Sequence, residues 1–152
     1  MAQASGSISM TLSVADRLDI LEVITRADQA ASDRDAEAYV QLFTADAVLD
    51  GAQGRHSGRE ALQAAVGPVW AAEGPATLHL TLNPVIEDLG DGQGRRVAVR
   101  SVLMIIAPGP PAVIRTAAPI TQILVRGNGS WHISRRTVGD IASTSRLQAV
   151  DQ

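Results

Sequence analysis

The sequence predicts an α+β domain, a curved antiparallel sheet wrapped on three N-terminal helices and enclosing an apolar pocket. Three observations carry that class. Helical periodicity and capping signals occupy the first half, up to Ala72. Long β-rich runs fill the second half, from Ala76 to Val138, and helices followed by strands segregate to opposite faces of one core. Within Ala76–Glu87, Leu78, Leu80 and Leu82 share one parity while His79, Thr81 and Asn83 share the other. That is a strand with one apolar face. A surface strand usually turns Lys, Glu or Arg outward. Here the polar face offers a titratable ring, a hydroxyl and an amide, which suits a small-molecule cavity around His79. The plain alternative is a histidine that is exposed, or hydrogen-bonded in the core.

Each element has its own signal. Ser13-Val14-Ala15-Asp16 resembles a capping box and starts a helix to about Ala31. Val14, Leu18, Leu21 and Ile24 recur at helical spacing, widened by Ile20 and Ala27, and Asp28 falls beside that face. Asp35 caps a second helix through Phe43, with Tyr39 and Leu42 turned inward. Ala47–Asp50 reads as a short strand, followed by a loop over Gly51–His56. Ser57-Gly58-Arg59-Glu60 fits a capping box for a third helix to Ala72, which buries Leu62, Val66 and Val69 or Trp70, and Pro68 should kink or shorten it. Gly74-Pro75 ends it.

The β half follows as a meander. The His79 strand turns at Gly90-Asp91-Gly92 into Arg96–Ala107. Ala112–Arg126 comes next, with Pro119 suggesting an edge or a bulge. Gly127-Asn128-Gly129 turns the chain into Trp131–Val138. One domain is expected over residues 13–140. Residues 1–12 and 141–152 are assigned to tails, with Leu147 and Val150 able to dock a turn of the second.

The totals exclude several classes. The 152 residues fit one domain, and 45% hydrophobic against 19% charged content is globular. A net charge of −3, no basic run, one Phe and one Tyr leave no surface for nucleic acid. No cysteine means no disulfide, thiol nucleophile or thiolate metal site. Met1–Thr11 has neither the basic start nor the apolar run of a signal peptide, and Met10 is a second candidate start. With no long apolar stretch, a soluble, cytoplasmic protein without membrane contact is expected. His56, His79 and His132 lack ligand spacing, so neither metal nor cofactor is expected.

Several pieces together resemble the nuclear-transport-factor-two-like superfamily, and within it the SnoaL-like polyketide cyclase and scytalone dehydratase group. They are Asp33-Arg34-Asp35, Leu42-Phe43-Thr44-Ala45-Asp46-Ala47-Val48, Gly58-Arg59-Glu60-Ala61-Leu62, His79-Leu80-Thr81-Leu82-Asn83-Pro84, and Gly129-Ser130-Trp131-His132-Ile133 with Arg135 or Arg136. Their order and spacing are more specific for the fold than for the reaction. The resemblance implies a cystatin-like cone barrel opening to a hydrophobic pocket. In the dehydratase and dehydrochlorinase branch it also implies a strand His paired with an Asp at the end of the first helix. His79 matches that His. Counting back from Asp35 and Leu42 without a gap puts Ser32 at the Asp position. One residue of slack puts Asp33 there, and Asp33 is taken as the partner, with Asp28 as fallback.

Such a dyad does general acid–base chemistry without a metal. The function expected is a cofactor-independent lyase, isomerase or cyclase (dehydratase-like) acting on a small hydrophobic hydroxy- or keto-compound. The alternatives are a non-catalytic ligand-binding or assembly domain, an epoxide hydrolase, or a ketosteroid isomerase-like enzyme. Asp50 falls within a residue of the isomerase branch's catalytic Asp and is a second fallback. Arg100 could supply the epoxide hydrolase's Arg, but Ser101 and Val102 offer no carboxylate beside it. Thr81, Asn83, Arg100, Tyr39 and Trp70 are the expected substrate contacts, and Arg115, Thr121 and Gln122 are further polar candidates. Arg135 and Arg136 have opposite parity, so one should face inward and could bridge to Asp28. Departures from the scytalone dehydratase pattern, with Ile106, Ala118 and Ile120 at or near its polar positions, imply a more apolar pocket. The aliphatic outer face along Val97–Ile106 implies a homodimer.

Overall fold

A computed structural model describes residues 11–90, 92 and 94–139. Asp91 of the expected turn, Leu147, Val150 and the rest of the assigned tails apart from residues 11 and 12 lie outside the described residues. Leu12, placed with the tail from sequence, is buried against the core. The chain runs α1 (Val14–Ser32), α2 (Ala36–Gln41), β1 (Phe43–Gly51), β2 (Gly54–Ser57), α3 (Arg59–Ala72), β3 (Leu78–Asp88), β4 (Arg96–Ala107), β5 (Val113–Gly127) and β6 (Ser130–Val138). The strands form one sheet in the order β2-β1-β6-β5-β4-β3, with the helices packed against one face. The α+β expectation therefore holds. One correction is that β1 pairs with β6 in parallel, so the sheet is not wholly antiparallel.

The capping box at Ser13 forms, with the Asp16 amide donating to Ser13 Oγ at 3.0 Å. The buried stripe of α1 is Ile20, Ile24, Ala27, Asp28 and Ala31. Val14 and Leu18, assigned inward from their spacing, are exposed at 74% and 61%, because their row lies round the helix from the buried stripe of Ile20, Ile24, Ala27 and Ala31. Asp35 caps α2, which stops at Gln41 so that Phe43 can enter β1 as a fully buried residue. The second capping box is absent. Ser57 closes β2, which pairs with β1 where a loop was expected, and Gly58 is the N-cap of α3 with no side-chain bond. Its φ of 88° suits glycine, and its amide donates to the Ala47 carbonyl at 2.8 Å. Arg59 then donates to the Phe43 carbonyl at 2.7 Å and ties α3 to β1. Pro68 sits exposed inside α3 without shortening it. Pro119 lies on an interior strand, opposite Val102 and just past the last β5–β6 pair, Ile120↔Val138. Asn128-Gly129 makes the β5–β6 turn with φ of 54° and 80°.

β3 is an edge strand, and its outward amides need partners other than a strand. Helix α1 provides them. Ser32 Oγ accepts from the His79 amide at 2.9 Å, and Asp28 Oδ2 accepts from the Thr81 amide at 2.8 Å. Four residues of helix rise about 6 Å, close to the roughly 6.6 Å spanned by two strand residues, so the acceptors match the donors in pitch. Asp28 Oδ1 also accepts from the Thr81 hydroxyl at 3.2 Å, and Ser32 Oγ donates back to the Asp28 carbonyl at 2.9 Å.

Ser32→Ala leaves one buried amide unpaired and should cost about 1–3 kcal/mol. Asp28→Ala orphans two Thr81 groups and should cost more. Asp28→Asn keeps an acceptor and sheds a buried charge, so it should lie closer to wild type. Urea unfolding of the three variants checks that order.

Candidate active site

The parity of β3 turns His79 and Thr81 toward the helices and Leu78, Leu80 and Leu82 away from them. His79 is 8% exposed. Its Nε2 lies 2.8 Å from Glu73 Oε2. Glu73 is the C-cap of α3, six residues before His79 across the Gly74-Pro75 turn. The same Oε2 accepts from Arg34 Nη1 at 3.2 Å and from Thr77 Oγ1 at 3.1 Å. Arg34 Nη2 donates to the Gly74 carbonyl at 2.9 Å, which pins the turn. The Trp70 ring stands edge-on to the imidazole at 6.5 Å and edge-on to Tyr39 at 5.3 Å. Tyr39 packs on Phe43 on one side, and the Arg136 guanidinium carbon lies 5.8 Å from its ring centre.

The charges of the site are unequal. Burial pushes the Glu73 carboxyl upward, but the hydrogen bond and charge of His79, with Arg34 and Thr77, outweigh it and hold it below its ordinary 4.5. An ionised Glu73 accepts, so Nε2 carries a proton, and Nδ1 is the ring position left to exchange one with a ligand. For Asp28 burial wins, and its carboxyl is raised above the ordinary 3.8 despite Arg136, both Thr81 bonds and His79. Burial likewise raises the Tyr39 phenol, with the Arg136 charge lowering it and Asp28 and Glu73 raising it. These cross-influences place Asp28, Tyr39, Glu73, His79 and Arg136 in one electrostatic cluster.

The expected partner of His79 is corrected here. Asp33 is the exposed C-cap of α1, and the turn after it points the side chain to solvent. Asp28 is buried near the ring, but both its oxygens are engaged by Thr81. Ser32, at the ungapped family position, holds the His79 backbone and not its ring. Glu73 was missed, although Leu62, Val66, Trp70 and Glu73 form one helical stripe whose last member is a carboxylate. Asp50 shares the outer face with Arg135, whose Nη2 is 3.6 Å away, while Leu49 and Arg136 face inward. Of the expected substrate contacts, Tyr39 and Trp70 are buried beside the dyad, and the Thr81 hydroxyl is taken by Asp28. Asn83 is exposed at a β3 bulge with φ of 53°, which turns it off the inner face. Arg100 is exposed opposite Val85 on the outer face, and Arg115 is exposed as well. Gln122 and Arg136 point inward and are buried. No cluster of three His, Cys, Asp or Glu able to hold a metal occurs among the described residues. A cleft of about 580 Å³ is lined by Arg34, Trp70, Gly74 and Pro75 among others, and neither His79 nor Glu73 is among its lining residues.

Comparison with known proteins agrees with this architecture. The profile of the SnoaL-like domain matches residues 12–137. No protein of curated function matches the sequence. Among solved structures, a cystatin-like-fold protein of unknown function from Nostoc punctiforme superposes with a TM-score of 0.77 at 22% identity, covering 86% of this chain and 94% of that one. ActVI-ORFA from Streptomyces coelicolor gives 0.72 at 17% identity over 81% and 95%. LinA gives 0.70 at 19% identity over 82% and 84%. At these identities the likeness speaks for the fold, and the family match covers most of the chain. The chain belongs to the SnoaL-like domain family.

Proposed function

We propose that the protein is a lyase, isomerase or cyclase of the dehydratase type, acting on a small hydrophobic hydroxy- or keto-compound by general acid–base catalysis. The observation that carries this reading is the buried contact of His79 Nε2 with Glu73 Oε2 at 2.8 Å. Glu73 fixes the tautomer and stabilises the imidazolium once it forms. His79 Nδ1 takes the proton from a carbon next to a carbonyl, leaving the electron pair as an enolate. The protonated ring then gives that proton to a departing hydroxyl, which leaves as water while the double bond forms. Trp70, Tyr39 and the apolar residues around them keep bulk water from the pair. His79 is the catalytic residue in this scheme and Glu73 its positioning residue. No step runs through a metal or cofactor.

The protein is further proposed to act as a homodimer in the cytoplasm, without nucleic-acid or membrane partners. No helix among the described residues is long and apolar enough to cross a membrane. The dimer rests on the outer sheet face, where Leu78↔Ile106, Leu80↔Met104 and Leu82↔Val102 stand in register and Leu78, Val85 and Ile114 are 48%, 57% and 58% exposed.

In a screen of aryl β-hydroxyketones for conjugated enone formation, His79→Ala should lower kcat by about 10²–10⁴-fold while keeping the native circular dichroism spectrum. Unchanged turnover in that variant would end the proposal. The pH dependence of stability has a set sign. The folded Glu73 carboxyl titrates below its unfolded value, so its pairing stabilises the fold fully above pH 4.5 and is lost as pH falls through the folded pKa. The Tm gap between wild type and Glu73→Gln should therefore be widest near neutrality and close in acid. Light scattering should give twice the 15.9 kDa chain mass, and Leu80→Lys should halve it.

A further inference from the structure

A second set of inward side chains is left without partners by the dyad. Gln122 is 0% exposed, and neither its Nε2 nor its Oε1 has a hydrogen-bond partner among the described residues. Arg136 is 4% exposed, and its Nη1 is likewise unpaired. The two stand opposite each other, Gln122 on β5 and Arg136 on β6. The Ser101 hydroxyl is a third buried group without a partner, on β4 next to Val99, which pairs with Gln122. Three strands thus present orphan polar atoms to one concave face. Such groups each cost stability when left unpaired, and native chains carry few of them.

We propose that Arg136 and Gln122 form a subsite for a planar anionic oxygen group, a carboxylate or an enolate, carried by a small apolar molecule. Arg136 is a permanent cation whose planar fork matches two coplanar oxygens. The ion pairs among the described residues involve Arg26, Arg34, Arg95, Arg126 and Arg135, but not Arg136. Asp28 feels the Arg136 charge, but its two oxygens bond Thr81 and it forms no ion pair with Arg136. Gln122 Nε2 adds a donor to the anion. Its Oε1 accepts from a neighbouring hydroxyl of the ligand.

The adjoining residues determine what the rest of the molecule must be. One step along the same face, Ile120 and Val138 stand in register and join Leu103 and Ile105 in an apolar cluster separate from the main core. Ile105 in turn is opposite His79. Polar pair, apolar cluster and imidazole therefore follow one another across the inner face. A ligand held by its anionic end on Arg136 lays its hydrocarbon on Ile120, Leu103 and Ile105 and extends toward the ring. This deepens the acid–base reading and rests on it for the role of His79, but the anion subsite itself stands on Gln122 and Arg136.

The test is calorimetric titration of the intact protein with 2-naphthoate and with 2-naphthalenemethanol, which share the apolar body and differ in charge. Wild type should bind the carboxylate at least tenfold more tightly. Arg136→Met, which keeps the apolar stem, should remove the preference, and Gln122→Leu should reduce it several-fold. His79→Ala should retain it, because the dyad is not the anion site, so failure of the catalytic scheme and failure of the subsite read out separately. If the methionine variant does not fold, the ¹⁵N resonances of the Arg136 side chain in wild type should shift on adding naphthoate and not on adding the alcohol. Equal affinity for both probes, no binding of naphthoate, or an unchanged preference in Arg136→Met would overturn the inference.

Discussion

The seam between α1 and the free edge of β3 governs where everything else can be. An unpaired strand edge beside a helix would leave buried amides without acceptors, a cost of about 1–3 kcal/mol each. Asp28 and Ser32, one turn apart, meet the His79 and Thr81 amides, two residues apart. That match fixes the height of α1 along the strand as well as its face. It also immobilises the His79 backbone, so the ring's direction follows from strand parity. The seam has a chemical consequence too. Asp28 gives both oxygens to Thr81, and the ring takes its carboxylate from another element, Glu73 at the end of α3.

The two carboxylates near His79 therefore differ in kind. Glu73 receives three donors on one oxygen, one of them the permanent cation of Arg34, and its charge is favoured despite burial. Asp28 receives a backbone amide and a hydroxyl, with Arg136 acting only at a distance, and burial dominates. Environments that push two neighbouring acids apart are the usual way a site keeps one group ionised while another stays close to neutral. The arrangement here leaves Arg136 without an ion pair among the described residues, on the inner face.

Much of the fold was legible because its signals are local or periodic. Alternation placed β3 and the inward parity of His79, the Asn-Gly turn placed the β5–β6 hairpin, and Ser13 and Asp35 marked two helix starts. The failures also have local reasons. Ser57-Gly58-Arg59-Glu60 has the right residue types for a capping box, but β1–β2 pairing claims Ser57, and Gly58 supplies a backbone angle that serine adopts poorly. The apolar row Val14–Leu18 looks like a core face, but α1 buries the neighbouring row of Ile20, Ile24, Ala27 and Ala31 and leaves this one exposed. The candidate site was half legible. His79, Tyr39 and Trp70 were visible as residue types in context. Glu73 was concealed by its place at a helix end, where an acid reads as solvated. Asn83 lost its inward parity to a bulge, a single-residue irregularity that alternation alone does not foresee.

Glu73 and His79 share one short helix-turn-strand connection, braced by Arg34 and Thr77, so their contact has little sequence distance to close. Gln122, Arg136 and Ser101 come from three different strands and meet only when the sheet is complete. Under the proposed reading, acid–base chemistry resides on a compact local unit, and grip on the ligand resides on the sheet's long-range register. Substitutions along β4–β6 can then reshape what is held without disturbing the pair that moves the proton. That separation lets one fold serve different small molecules, since only the sheet side has to change when the ligand does.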